Sequence, residues 1–547
     1  MSSSDSIKLK LLNSYVQNAS LEGHRSRCHH MIETNNAADK DSEPAEVCDG
    51  VAKLFDLKYI GSSLQSPGEA VDAYIIIPPL VKYVAGPLLG PSLLAGAART
   101  RKLSVEILDL NCMLLAKYAS SIIVCSDHNE WLYGDHCNAN MFDRIASQFW
   151  KRLSADVYGR HGDGLEAKLM RAAIDHDEVS RAVRQLISNS SSRFILRQLM
   201  GKTGPRVVGM SVMWSGQTVM ALVTSAISKE LWPETKVVWG GAQISSIRQR
   251  IEKEREFGLY VDGFIPGHCE GSFVDLLISM RRGKFEAPGL IIPGNGPSPD
   301  MPRCIYPPPV PRFQNLDLYG MPRLVLPVQL STGCSYGKCA FCTYPAVEGD
   351  YKAFSAWNCL KPVIDIASKN GAALSIKDSL VTVERLREIG DLIGGRVHWS
   401  ACTKIDPRLN STFLCDLYQN GCRTLEVGLE TVNQRVQKII SKRQPTRLLD
   451  NFLRGAAESG ISVVINYITG FPWECETDAI LELRWLRRHI SGFPGLKAVI
   501  EHNRFELEKL SPIAKNPEKY GIVVVKTWPW SSVISYHTTD TASTTQS

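Results

Sequence analysis

At 547 residues the chain is longer than a single hydrophobic core supports, and two or three domains are expected. A hydrophobic fraction of 44% suffices for ordinary globular cores, and a net charge of +6 is too small at this length to demand a nucleic-acid or membrane-surface partner. No apolar run reaches the roughly 18 residues of a membrane span, and the lysine-bearing start lacks the apolar core of a secretory signal. Fifteen cysteines without a framework fit reduced thiols, so the expected setting is cytoplasmic, with no membrane and no nucleic acid.

Residues 1–70 are polar and mixed and read as a flexible arm; the pair His29 and His30 is assigned no role. From Asp72 strands and helices alternate. Buried-strand runs fall at 73–77, 105–108, 206–213, 236–239 and 262–265, with helices at 91–101, 219–230, 247–257 and 272–282. A long insertion, 112–202, interrupts the pattern and carries helical periodicity over 165–187. Alternation of this kind predicts a doubly wound α/β domain over 71–285, with ligands bound beyond the carboxyl ends of its strands. The residues placed there are Pro79, Ser211, Gly240, Gly241, Gly267 and Glu270. Glycines at such an edge let backbone approach a large cofactor closely, although each alone is also ordinary turn chemistry.

Residues 286–320 form a linker whose Y-P-P-P-V-P-R run sustains neither a helix nor a central strand. Beyond it, strands are expected at 324–330, 373–376, 397–401, 425–429, 463–468 and 505–507, with helices at 357–369, 383–393, 411–419, 432–440, 448–459 and 477–489. Six such units imply a partial (β/α)6 barrel over 321–495, with functional residues at the carboxyl ends of the strands. Residues 496–547 form a C-terminal region whose end, from Thr538, reads as a disordered tail. Within that region Trp528, Trp530 and Tyr536 are expected to pack rather than to line a substrate face.

The stretch that carries chemistry is Q-L-S-T-G-C-S-Y-G-K-C-A-F-C-T-Y-P, at the end of the first barrel strand. Cys334, Cys339 and Cys342 stand at C-x4-C-x2-C spacing, close enough to ligate three irons of a four-iron cluster and leave the fourth open. A zinc knuckle and three unrelated core thiols are the bland alternatives. No second C-x2-C pair completes a zinc ribbon, and Gly333, Gly337 and Lys338 are poor core residues.

This loop, G-C-S-Y-G-K-C-A-F-C, resembles the cluster loop of radical S-adenosylmethionine enzymes, with Phe341 as the aromatic residue before the last cysteine and one residue more than the usual C-x3-C-x2-C. The preceding domain resembles the cobalamin-binding domain of one branch of that family, through I-I-I-P-P-L, V-E-I-L-D-L-N, V-V-W-G-G-A-Q and G-F-I-P-G-H-C-E-G-S-F in order. It lacks D-x-H-x-x-G, which implies cobalt without a histidine lower ligand, and His268 stands where relatives often carry glutamate. The resemblance implies three cofactors: a 4Fe–4S cluster, S-adenosylmethionine and cobalamin. It places Asp378 and Glu430 against the polar groups of S-adenosylmethionine and Gly470 and Pro472 of the G-F-P turn beside its adenine, with Lys404 as partner for a carboxylate.

The C-terminal region is similar to that of maturases of ribosomally made peptides. The implied activity is methyl transfer from methylcobalamin to a carbon from which a 5′-deoxyadenosyl radical has taken hydrogen. The substrate would be a peptide or small natural product, and a flavodoxin or ferredoxin would supply electrons. No acid–base residue is assigned. Ring contraction or cyclisation with the same cofactors, a non-catalytic cobalamin or iron–sulfur sensor, and a zinc-bearing binding protein are the alternatives.

Overall fold

A computed structural model describes residues 71–79, 86–119, 165–319, 324–444 and 446–539. The expectations for the arm, for 120–164 and for the last eight residues fall outside these residues.

The first sheet has five parallel strands, β1 (Ala73–Ile77), β2 (Val105–Asp109), β3 (Val207–Ser211), β4 (Lys236–Gly240) and β5 (Gly263–Phe264), in the order β2-β1-β3-β4-β5. Every residue of β1 is buried, as a strand covered on both faces requires. One apolar cluster, with Tyr74, Val208 and Trp239, lies under one face, and another, with Ile75, Val207 and Phe273, lies under the other. The strand order reverses between β1 and β3, which opens a crevice at their carboxyl ends.

Two helices here differ from expectation. The one foreseen at 247–257 starts earlier, as Ala242–Ile251, directly off β4, and a short 3-10 turn, Arg255–Leu259, follows it. The long helix foreseen within the insertion is broken into Leu165–Met170 and His176–Leu186. Asp175 starts the second piece with a capping box: its side chain accepts from the Glu178 N–H, and Glu178 accepts from the Asp175 N–H.

The Pro-rich segment lies along the first domain instead of standing free. Arg303 grips Asp275 through two hydrogen bonds, the Arg312 N–H donates to the Ser92 carbonyl, and the Gln314 side chain brackets β2 at Val105 and Ile107.

The second sheet has six parallel strands in sequential order: β6 (Val325–Val328), β7 (Ala373–Ile376), β8 (Trp399–Thr403), β9 (Cys422–Glu430), β10 (Ser462–Thr469) and β11 (Ala498–Arg504). This is the predicted open barrel with one correction. The sixth strand is Ala498–Arg504, not 505–507, and its exposed, charged second half hid it from an apolar-run reading. Phe505 and Leu507 belong to a separate small core with Ile513, Ile522 and Ile534.

That core supports a C-terminal hairpin, β12 (Ile522–Thr527) and β13 (Ile534–Thr538). Thr538 is therefore paired strand, and the Thr539 N–H donates to the Gly521 carbonyl, where a tail was expected. Between the two strands Trp530, 2% exposed, inserts into the first domain. Its ring meets Phe257 at 4.4 Å, its N–H donates to His176 Nδ1 at 3.0 Å, and its carbonyl accepts from Gln243 at 2.7 Å. The packing expected of Trp530 is observed, and it ties the C-terminal end of the chain to the first domain.

Candidate active site

The carboxyl ends of the two sheets open on one shared cavity of about 740 Å³. Ser211, Gly240, Gly241, Gly267 and Glu270 line it from the first domain; Gln329, Tyr344, Glu348 and Lys377 line it from the second. Pro79 is buried but is not among the lining residues; its neighbour Pro78 is held by its carbonyl, which accepts from Gln217. Gly241 has a φ of +106°, and an added Cβ would run into the Val212 carbonyl oxygen, so glycine is required both by conformation and by space.

Sequence reading left two cavity groups without a role. The His268 imidazole lies 3.9 Å from Glu270, and its buried Nε2 has no hydrogen-bond partner. Burial alone would lower its pKa, but the nearby carboxylates of Glu270 and then Glu348 raise it overall. Glu348 comes from the second domain, and its carboxylate accepts from the Gly333 N–H at 3.2 Å. Burial pushes its pKa up, while His268 and that N–H pull against the rise. One carboxylate thus meets the cysteine loop on one side and the field of a first-domain histidine on the other.

The loop itself is shaped at Gly333, whose φ is +65° and where a Cβ would fall 2.6 Å from the Gly349 oxygen. Cys334, Cys339 and Cys342 are free and half-buried, and Cys334 Sγ accepts from the Gly337 N–H at 3.5 Å. Burial raises the thiols of Cys339 and Cys342, the latter to about 12, and the Lys442 ammonium lowers both. Among the described residues no three His, Cys, Asp or Glu side chains converge on a single metal ion. Three thiols spread along one loop, with an N–H directed at sulfur and ammonium groups nearby, suit the corners of a multi-iron cluster better than the tight tetrahedron of zinc.

Around this loop the remaining predicted residues come together. Glu430 ends β9 in the left-handed region, φ +65°, at a bulge in the pairing of β9 with β10, a strained backbone for a side chain. Its carboxylate is held by Lys442 at 2.8 Å. Lys404 donates to the Lys442 carbonyl and sits 3.9 Å over the Tyr336 ring. Asp378 is occupied on both oxygens, by the Leu330 N–H and the Ser331 hydroxyl at 2.7 Å each, so it orders the strand end that leads into the cysteine loop. Burial, resisted by those two hydrogen bonds, raises its pKa.

Phe341 packs edge-on against Phe471 of the G-F-P turn, at 6.2 Å. That turn depends on a residue the sequence reading missed. Glu474 accepts from the N–H groups of Gly470 and Phe471, at 2.9 and 3.2 Å, and closes the loop that carries Pro472. Its signal was a glutamate two positions after Pro472, a spacing that lets a carboxylate cap the preceding turn.

No protein-family profile matches the chain. It is 20% identical over 317 residues to an uncharacterised methyltransferase of Pyrococcus horikoshii, a match spanning 54% of this chain and just under two thirds, 66%, of that relative. Among solved structures it resembles the radical S-adenosylmethionine methyltransferase TsrM from Kitasatospora setae, which holds cobalamin and a 4Fe–4S cluster, at a TM-score of 0.53 and 14% identity over 83% of this chain and 76% of that one. It also resembles OxsB, a cobalamin-dependent S-adenosylmethionine radical enzyme holding aqua-cobalamin and S-adenosylmethionine, at a TM-score of 0.56 and 11% identity over 90% and 70%. The chain has the two-domain fold of cobalamin-dependent radical S-adenosylmethionine enzymes, as its sequence led one to expect.

Proposed function

We propose that the chain is a cobalamin-dependent radical S-adenosylmethionine methyltransferase that modifies a carbon of a peptide or small natural product. One observation carries the reading: the glycine-edged crevice of the first domain and the residues that flank the cysteine loop of the second, Gln329 before it and Tyr344, Val347 and Glu348 after it, face one cavity. When bound, the cluster, S-adenosylmethionine and cobalamin supply electron transfer, hydrogen abstraction and a transferable methyl group.

The chain's own residues bind and orient. Cys334, Cys339 and Cys342 would hold the cluster, and Lys442 favours the thiolate forms of Cys339 and Cys342. Glu430, fixed by Lys442, and the turn closed by Glu474 would seat the polar end and the adenine of S-adenosylmethionine. Gly240, Gly241 and Gly267 leave an edge low enough for a flat macrocycle, with Glu270 and His268 beside it. Leu88, Leu93, Met210, Val238 and Phe273 of the first domain make its side of the cavity apolar, while the second domain faces it with Gln329, Glu348, Lys377, Glu426 and Glu501 beside Tyr344 and Val347.

The test is anaerobic reconstitution with iron, sulfide and hydroxocobalamin, followed by mass spectrometry with S-adenosylmethionine deuterated in its methyl group. Transfer of the label to a product, with 5′-deoxyadenosine released, supports the reading. Release of 5′-deoxyadenosine with an unlabelled product points to ring contraction or cyclisation. A protein that takes up neither iron nor cobalamin overturns the proposal.

A further inference from the structure

The hairpin β12–β13 presents a surface that the proposed chemistry does not use. β12 reads I-V-V-V-K-T, and Val523, Val524 and Val525 are 40, 39 and 60% exposed. It pairs on one side with β13, and among the described residues no strand pairs with its other side. The outer side of β13 is engaged at its start, through the Ile534 N–H to the Leu507 carbonyl and the bridge between Glu508 and the preceding Val533. The open edge of β12 therefore offers unmatched N–H and C=O groups beside β-branched side chains, the pattern by which an extended segment adds to a sheet.

A second feature says what kind of segment fits. At the loop end of the hairpin lies a smaller cavity, of about 360 Å³, between the hairpin and the helical insertion. Lys168, Arg171, Lys526, Trp528 and Glu178 are among its lining residues. Glu178 is committed to the Asp175 cap and Arg171 to Glu506, and among the described residues the exposed ammonium groups of Lys168 and Lys526 have no acidic partner. Positive charge at one end of an open apolar edge selects an anionic occupant. A second copy of the chain would bring an identical basic cavity and gain nothing from it.

We infer that β12 is a docking strand for an extended acidic peptide, which pairs with the open edge and places carboxylates against Lys168 and Lys526. The inference rests on the proposed function only for the peptide's identity, as the tethering segment of a peptide substrate, and not for its docking. The connection is short. Thr527 is three residues from Trp530, about 10 Å of extended chain, and Trp530 packs on Trp239, which lines the main cavity.

The experiment uses full-length protein without its cluster, so its outcome is separate from the chemistry. A fluorescein-labelled decapeptide of alternating glutamate and valine is titrated by anisotropy against the same peptide with lysine in place of glutamate, and against a labelled thymidine decamer. The acidic peptide is expected to saturate, to bind about tenfold or more tightly than the lysine peptide, and to slow amide exchange at residues 522–527. Val525 is the residue the hairpin ladder skips, so Val525→Pro blocks the edge and leaves the β12–β13 pairing in place. It is expected to weaken binding about tenfold or more, as is Lys168→Glu combined with Lys526→Glu, which alters exposed side chains alone. Equal binding of both peptides, or no loss in the charge-reversed variant, overturns the inference. Tighter binding of the thymidine decamer assigns the surface to nucleic acid, and concentration-dependent dimerisation abolished by Val525→Pro assigns it to a second copy.

Discussion

Gly428 lies two residues before Glu430, and its hydrogen fills the space between the two charges that hold the end of β9 together. A Cβ built at this position falls 2.5 Å from both Glu430 Oε1 and Lys442 Nζ, which are themselves 2.8 Å apart. Gly428→Ala would therefore force the two side-chain ends to withdraw by about 1 Å each from ordinary contact distance, and the ion pair would not survive. Both ends belong to flexible side chains, so the strand itself need not move. The loss is that of a charge-assisted hydrogen bond, about 1.5–3 kcal/mol, short of the 3–5 kcal/mol expected when a buried charge loses its partner outright. If Glu430 contributes one such bond to S-adenosylmethionine, affinity falls roughly ten- to hundredfold. The assay is isothermal titration of S-adenosylmethionine into anaerobically reconstituted wild type and G428A, with iron content and hydroxocobalamin uptake as controls expected to stay unchanged. A variant that holds its iron and binds S-adenosylmethionine within twofold of wild type would refute the role given to the Glu430–Lys442 pair.

Replacing Cys334, Cys339 or Cys342 singly by alanine should abolish the visible absorption of protein reconstituted with iron and sulfide alone, and the release of 5′-deoxyadenosine; a variant retaining both would remove that cysteine from the ligand set. Gly241→Ala combines a positive φ with a collision at the Val212 carbonyl, and a cost of about 2–4 kcal/mol is expected. Its hydroxocobalamin uptake should fall while its iron content stays, and undiminished uptake would place the corrin elsewhere. Lys509 donates to the Trp528 carbonyl, and its pKa is pushed down to about 8 by burial and then by Arg250. The unfolded chain, with an ordinary lysine near 10.5, binds this proton more tightly, so native stability rises as pH goes from about 8 to 10.5, by on the order of 3 kcal/mol. Thermal melts of wild type and Lys509→Met should accordingly diverge in their pH dependence across that window, and parallel curves would show that Lys509 does not titrate there.

What could be read from the sequence depended on whether a signal was local. The all-buried strands β1 and β6 and the C-x4-C-x2-C loop are contiguous runs, and each lies where periodicity and spacing placed it. β11 was displaced because an edge strand with a charged, exposed half carries no apolar run. The C-terminal strand pairing at Thr538 was read as tail for a related reason: its threonine-rich sequence gives no sign of the partner, Ile522, supplied from sixteen residues upstream.

The site shows the same division in finer detail. Cys334, Cys339 and Cys342, together with Gly240 and Gly241, are legible because chemistry or backbone geometry restricts which residues can stand there. Glu348 and His268 are not, since a carboxylate at the end of a five-residue helix and a histidine in a turn have many ordinary explanations. Their meaning arises only when the two domains meet and bring Glu348 within the field of His268 while its carboxylate holds the Gly333 N–H. The same contact gives the domain arrangement a consequence. Gly333 immediately precedes the first cysteine, so a first-domain charge acts, through one carboxylate, on the backbone that positions the cluster loop. Separation of the domains would remove that charge, the largest influence opposing the rise that burial imposes on the Glu348 pKa. Correct seating of the first domain is thus part of what shapes the second domain's site.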